Sequence, residues 1–361
     1  MQSDKLLSQT IHFLRFPLIF SVVLSHTDFV GVATNGMAAI QKGAYPIYDF
    51  VHQLVKGEFA SLDVSSFFFF AGFLFFYKTK FSAVTYANKL KNRVHTLLIP
   101  YFFWNALVIL IMLGANWFLK GLTTGANESF ADKSITEWLS MFWVYQERTP
   151  VAGQFWFIRD LMMMGLISPI LYTLIKYLKW IWVPLVGYFW LVNTPTLVIG
   201  FGFEALFFFS LGAWFSIHGV NFATLFKSIR KQTLALFLVL VVVNMVLWSS
   251  ECIQTYGILH NINVLIGMAA VFGWVARGKE LNKINISEKI ASSTFFIYAY
   301  HLIMMVFMLK VWVKIFSPVN DVTLIIGFFV LPILVAAIGM GIYHLLKKIL
   351  PRFTAIITGG R

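Results

Sequence analysis

The chain is 361 residues long, 59% hydrophobic and only 12% charged, with 39 Phe and a mean hydropathy of +0.78, a composition that excludes an ordinary soluble domain. Its net charge of +13 does not mark a nucleic-acid binder, because the basic residues sit in short segments between apolar runs and not on one soluble surface. A single cysteine, Cys252, excludes an intramolecular disulfide and any cysteine-based metal site, and leaves the redox compartment open.

In chain order, apolar runs long enough to cross a hydrocarbon core of about 30 Å, or close to it, are expected at 11–30, 61–77, 97–119, 155–175, 180–193, 197–217, 232–250, 257–276, 292–316 and 322–346. The second and fifth are short, and 138–145 (WLSMFWVY) reads as an interfacial or re-entrant piece. The first run lacks a strongly basic leader and a small-residue cleavage pattern, so no cleavable signal peptide is expected. The expected fold is therefore an all-α, polytopic membrane bundle of about ten transmembrane helices. One membrane domain over 1–361 is expected, with no internal repeat, no low-complexity tract and no soluble domain at the C-terminus.

Charges in the connections alternate, as they do when cytoplasmic loops hold the cations. One set contains Lys78, Lys80, Lys89, Lys91 and Arg93, then Lys176 and Lys179, then Lys227, Arg230 and Lys231, then Arg277, Lys279, Lys283 and Lys289, and finally Lys347, Lys348, Arg352 and Arg361. The other holds Asp49, Glu58, Glu128, Asp132, Glu137, Glu147, Glu251 and Asp321. Both termini are thereby expected in the cytoplasm, and 31–60 and 120–154 outside.

Seven ionisable groups stand inside or at the edge of the runs: Arg15, His26 and Asp28 in the first, Arg159 and Asp160 in the fourth, Glu204 in the sixth and His301 in the ninth. Intramembrane ionisable groups are rare and face protein interiors or wet cavities. In a straight helix, the step from Arg15 to His26 turns through about 1,100°, which leaves about 20° between them in azimuth and about 16 Å along the axis. The two share one stripe, suited to line a pocket that an anionic molecule enters near Arg15, with its reactive end at His26. Pro17 is expected to bend this helix. Asp28 orients the imidazole only if the helix ends or unwinds there. Blander readings exist for each: Arg15 snorkelling to headgroups, His26 and His301 bonding neighbouring helices, and Arg159 and Asp160 pairing with each other or with Glu204. The Phe-rich run SSFFFFAGFLFF (65–76) reads as lipid-facing and packing surface, and KLKNR (89–93) as a topology determinant in a loop.

Five segments taken in order resemble the acyltransferase family 3 proteins, the multispanning O-acyltransferases that modify bacterial surface glycans. They are RFPLIFSVVLSH (15–26), with the arginine, ten residues, histidine pattern; DVSSFFFFAGFLFFY (63–77); NRVHTLLIPYFFWN (92–105); GQFWFIRDLMMMGLISPIL (153–171); and STFFIYAYHLIMM (293–305), with Tyr298 and His301 in a Tyr, two residues, His pattern. The family often has a second arginine three residues after the one matching Arg93; here that position is Thr96, and Lys89, Lys91 and His95 are the alternative cations.

The resemblance implies transfer of an acyl group, usually acetyl, from cytoplasmic acetyl-CoA as co-substrate to a hydroxyl of an extracytoplasmic or lipid-linked sugar, in the inner membrane of a bacterium. His26 is then the general base or transient acyl carrier, with Asp28 its conditional partner and Arg15 the group that holds donor phosphate or polarises its carbonyl. Arg93, with Lys89 and Lys91, docks donor phosphates. Arg159 binds the acceptor or stabilises the oxyanion, in one group with Asp160 and Tyr298, and with Glu204 and His301 placed lower. No bound cofactor or metal is implied. The rival readings are a transporter or flippase of a glycan or anionic small molecule, which lacks paired broken helices in matching halves, and a glycan polymerase or ligase.

Overall fold

A computed structural model describes residues 2–34, 38–118, 133–145, 148–196, 198–250 and 252–360. Glu128, Asp132, Glu147, Glu251 and Arg361, and residues 119 and 197 at the ends of two expected spans, lie outside the described residues. Helix α1 (Gln2–Ser25) continues unbroken through Pro17. Helix α2 (Pro46–His52) leads through a π-helical turn, Gln53–Phe59, and a 3-10 turn, Ala60–Leu62, into α3 (Asp63–Phe76). Helix α4 (Ala83–Arg93) likewise passes through a second π-helical turn, Val94–Leu98, into α5 (Ile99–Phe118), and α6 (Ile135–Ser140) follows. Then come α7 (Trp156–Leu166), α8 (Ser168–Leu178), α9 (Trp182–Leu191) and α10 (Phe203–Ile217). Four long helices, α11 (Phe222–Ser249), α12 (Ile253–Glu280), α13 (Glu288–Ile315) and α14 (Asp321–Ile349), precede a short α15 (Pro351–Thr358).

Among the described residues, seven helices are long and apolar enough to cross a membrane, and the pair α7–α8, bent by 65°, makes an eighth if it is one span. The other two expected spans fall on the shorter apolar helices Trp182–Leu191 and Phe203–Ile217. The bend has a local cause: Pro169, the second residue of α8, lacks the N–H that would join the two helices. The segment expected at 138–145 forms only the last half of the short helix Ile135–Ser140 and a following turn, packed through Met141 on Ile109 of α5.

Two boundaries differ from expectation. The second candidate span runs from Pro46 to Phe76, so residues 46–60 are helix continuous with α3 and not part of an open loop. Glu58, expected among loop acids, is 0% exposed. Hydropathy missed this stretch because its polar groups are satisfied from outside it. Asn244 and Asn263 donate Nδ2–H to Glu58 Oε2 at 2.8 and 2.9 Å, and the Tyr256 hydroxyl donates to Oε1 at 3.2 Å. The third span runs from Ala83 to Gly114, and KLKNR is accordingly helix and not loop.

The Phe-rich α3 is central rather than lipid-facing: Phe68, Phe69, Phe70, Phe73, Phe75 and Phe76 are all buried. A Cβ at Gly72 would run into the backbone of Phe209, and one at Gly212 into the backbone of Phe69. These reciprocal glycines let α3 and α10 approach at backbone distance, the small-residue contact that van der Waals packing favours in lipid. Helix α1 packs on α13, α12, α14 and α3. Basic connections gather at one end of the bundle, where Lys78 pairs with Asp4, Lys227 with Glu280, and His344 with the Lys289 carbonyl.

Candidate functional site

One face of α1 opens onto a cavity of about 500 Å³, within the range of small-molecule sites. Ile11, Arg15, Ile19, Val22 and His26 line it, at the three- and four-residue steps that keep side chains on one helical stripe. The opposite walls come from α3 (Phe67, Ala71), α7 (Phe157, Leu161) and α13 (Phe295, Tyr298). At one end, His12 lies 3.7 Å from Glu288. At the other stand His26, Gln154 and Tyr298.

Arg15 is exposed to this space and has no hydrogen-bond or ion-pair partner among the described residues. A guanidinium in apolar surroundings with no carboxylate beside it favours an anion. The His26 imidazole also makes no hydrogen bond among the described residues; its neighbour is the His301 ring, with centroids 5.1 Å apart. His301 is 0% exposed, and its Nδ1 lies 2.6 Å from the Tyr298 carbonyl. A carbonyl only accepts, so Nδ1 carries the hydrogen and Nε2 presents a lone pair; that Nε2 is buried without a partner. Gln154 is 3% exposed and donates Nε2–H to the Ala299 carbonyl at 2.7 Å, while its Oε1 has no partner. The Tyr298 hydroxyl donates to the Gln154 carbonyl at 2.7 Å, which holds this end of the cavity in shape.

The structure does not bring Asp28 to His26. The chain leaves the helix at Ser25, and Asp28 turns outward, accepting from Lys56 Nζ at 2.9 Å and the Val30 N–H at 3.0 Å, with His52 Nε2 3.5 Å away. Burial works against the Asp28 charge, but the Lys56 hydrogen bond and charge, with His52, hold its carboxyl below the usual carboxylate range. Nor do Arg159 and Asp160 reach the cavity. Arg159 is 3% exposed and donates to Asp160 at 3.0 and 2.9 Å and to the carbonyls of Trp143 and Arg148, each at 2.8 Å. It clamps the loop before α7 and pairs with Asp160, the structural pairing expected as the alternative to an acceptor role.

Lys89 and Arg93 flank Phe75, 5.1 and 4.7 Å from its ring centroid, and Lys91 is exposed. None of the three lines the cavity, although Leu97, one turn beyond Arg93, and Leu74, beside Phe75, do. Glu204 accepts from the Ser65 hydroxyl at 2.7 Å and lines a different cavity. Sequence reading passed over three polar groups near the site. Asp63, 6% exposed, accepts from Ser25 Oγ at 3.4 Å, one residue before His26. Gln154 is the second; the third, Glu58, lines neither cavity but lies 3.6 Å from His260, which lines the second. An acid directly preceding an apolar run was the available signal for Asp63; for Gln154 there was none.

Residues 9–341 match the family model described as an acyltransferase domain. The succinoglycan biosynthesis protein ExoH of Rhizobium meliloti (strain 1021) is 25% identical over 372 residues, which cover 99% of this chain and 94% of that protein. No solved structure matches the chain.

Proposed function

Since the chain belongs to the acyltransferase 3 family and is a multi-pass membrane O-acyltransferase, we propose that it moves an acyl group, acetyl in the first instance, from acyl-CoA to a hydroxyl of a cell-surface or lipid-linked glycan. The glycan acceptor is supported by the similarity to a succinoglycan biosynthesis protein. One observation carries the chemistry: an unpaired arginine and an unbonded imidazole line the same cavity. Their separation along the helix, about 16 Å, matches the reach of an extended pantetheine arm.

In this reading Arg15 holds a phosphate of the donor, with Lys89, Lys91 and Arg93 drawing it toward the mouth by charge. The thioester lies at His26. A sugar hydroxyl is a poor nucleophile at neutral pH, and His26 takes its proton as the new C–O bond forms. The C–S bond then breaks and the sulfur leaves with that proton as the CoA thiol. His301, with Nδ1–H tied to a carbonyl, is the positioning residue: its ring packs against the His26 imidazole and fixes the ring's place at this end of the cavity, the part expected of Asp28. The bundle crosses a bacterial inner membrane about ten times as a single domain, with its basic end, both termini and the mouth at His12 in the cytoplasm.

Mass spectrometry of surface glycans from cells with and without the protein tests the reading, and a loss of one acyl mass per repeat is expected. If purified protein in lipid moves sugar across the bilayer while consuming no acyl-CoA, it is a transporter and the proposal fails.

A further inference from the structure

A second cavity, of about 590 Å³, lies against the first, and Val64 and Trp156 line both. Their chemistries differ. The first is walled by aliphatic and phenyl groups around Arg15 and His26. The second presents Asp63, Glu204, Asn193 and Thr196, with the indoles of Trp190 and Trp156.

The two carboxylates are unusual in having no cation within ion-pair distance among the described residues. Asp63 accepts from the Val64 N–H at 2.5 Å and Ser25 Oγ at 3.4 Å, and Glu204 from Ser65 Oγ at 2.7 Å, which leaves acceptor capacity on both. The Ser61 hydroxyl, which also lines this space, is buried without a hydrogen-bond partner, whereas His260 Nδ1 lies 3.6 Å from Glu58 Oε1. Arg148 also lines it and donates Nη2–H to the Thr196 carbonyl at 2.7 Å and hydroxyl at 3.2 Å, so the lining is mixed in charge. Free carboxylate acceptors, amides and hydroxyls beside aromatic faces suit a molecule that has many hydroxyl donors and apolar C–H faces. That molecule is a sugar.

We infer that this polar cavity is the acceptor subsite, where Asp63 and Glu204 accept hydrogen bonds from the hydroxyls of one sugar residue, and that the acyl group crosses the partition of Val64 and Trp156. The inference rests on the acyl-transfer reading above and deepens it. The sugar oxygen attacks the thioester carbonyl from the polar side. Its proton passes to His26 on the donor side and leaves on the CoA sulfur, so the products are one ester and one thiol.

The test uses full-length protein in nanodiscs, acetyl-CoA as donor, and oligosaccharides prepared from the producing cell's own surface polysaccharide after mild alkaline de-O-acylation. Glu204→Gln is expected to raise the acceptor KM at least about tenfold while the donor KM stays within about twofold, the scale of one hydrogen bond to a charged group. Thr196→Trp, which fills the rim of the cavity from a loop, is expected to do the same and serves if the glutamate variant fails to fold. Trp156→Ala opens the partition, so the ratio of acetyl-CoA hydrolysis to sugar acylation is expected to rise. If Thr196→Trp leaves the acceptor KM unaltered, or if either cavity variant raises the donor KM instead, the inference is wrong while the acyl-transfer reading stands. A wild type that acetylates no sugar and consumes no acetyl-CoA removes the reading and this inference together.

Discussion

Arg15 and Arg159 are both guanidinium groups set in apolar helices, and the protein treats them in opposite ways. Arg159 is enclosed, with its donors taken by Asp160 and two backbone carbonyls. Arg15 faces a cavity with none of its donors taken among the described residues. The same contrast separates two acid and imidazole groups. Glu58, fully buried, receives three hydrogen bonds and joins the π-helical turn to α11 and α12. His26 and the Nε2 of His301 receive none. Within a bilayer, a charge whose hydrogen-bonding capacity is met by protein is a structural joint. One left unmet beside a cavity is held for a ligand, because an unpaired polar group in apolar surroundings is costly without one.

Breaking the two kinds of site should give different failures. The largest effect is expected from His26→Ala, with kcat for acyl transfer falling about 10²–10⁴-fold while the protein still elutes as a folded species on size exclusion. Normal turnover by that variant would place the base elsewhere. Arg15→Ala should raise the donor KM about 10–100-fold, the equivalent of a charged hydrogen bond of about 1.5–3 kcal/mol, with Arg15→Lys recovering part of the loss. A donor KM that does not move would make Arg15 a snorkelling residue.

On the structural side, Glu58→Ala strands two amide donors and a hydroxyl, at a cost of about 1–3 kcal/mol. Thermal unfolding in detergent should show this as a lower midpoint, with Glu58→Gln milder because its carbonyl oxygen keeps an acceptor. A reduced kcat in the folded fraction, with no loss of stability, would move Glu58 from joint to site.

The smallest effect is expected at Asp28, a half-exposed pair worth about 0.2–1 kcal/mol. Its carboxyl is held below the ordinary range by Lys56 and His52 against the effect of burial. The stabilisation is therefore fully present above the ordinary carboxylate pKa and is lost as pH falls through the lower folded value. Thermal scans across that window should show an acid-induced decline that is smaller in Asp28→Asn, with acyl transfer at neutral pH within about twofold of the parent, inside the range for such a pair.

The stripe from Arg15 to His26 was legible because helical periodicity is a local property, and the cavity is lined at those same steps. The all-helical membrane class was legible from hydropathy alone. The burial of α3 was not: a run of phenylalanines reads alike whether it faces lipid or other phenylalanines, and only the glycine contacts with α10 put it inside. The role of Asp28 could be read only conditionally, because its partner, Lys56, comes from a distant helical turn that hydropathy had left in a connection. For Arg159 the pairing with its neighbour Asp160 was legible, but the carbonyls it holds were not, since they belong to a loop whose path no periodicity describes.

By itself the sequence determined that this protein is a membrane bundle, which residues are costly to place in it, and that two of them share a helical stripe. Those conclusions depend on composition and on the fixed geometry of one helix. Which of the costly residues are satisfied, that two cavities meet at Val64 and Trp156, and that His301 and not Asp28 stands beside His26 were decided only by the tertiary structure. Hydrogen-bond partners for a buried charge come from chain segments far away in sequence, as Asn244 and Asn263 do for Glu58, and no local pattern records that they will arrive.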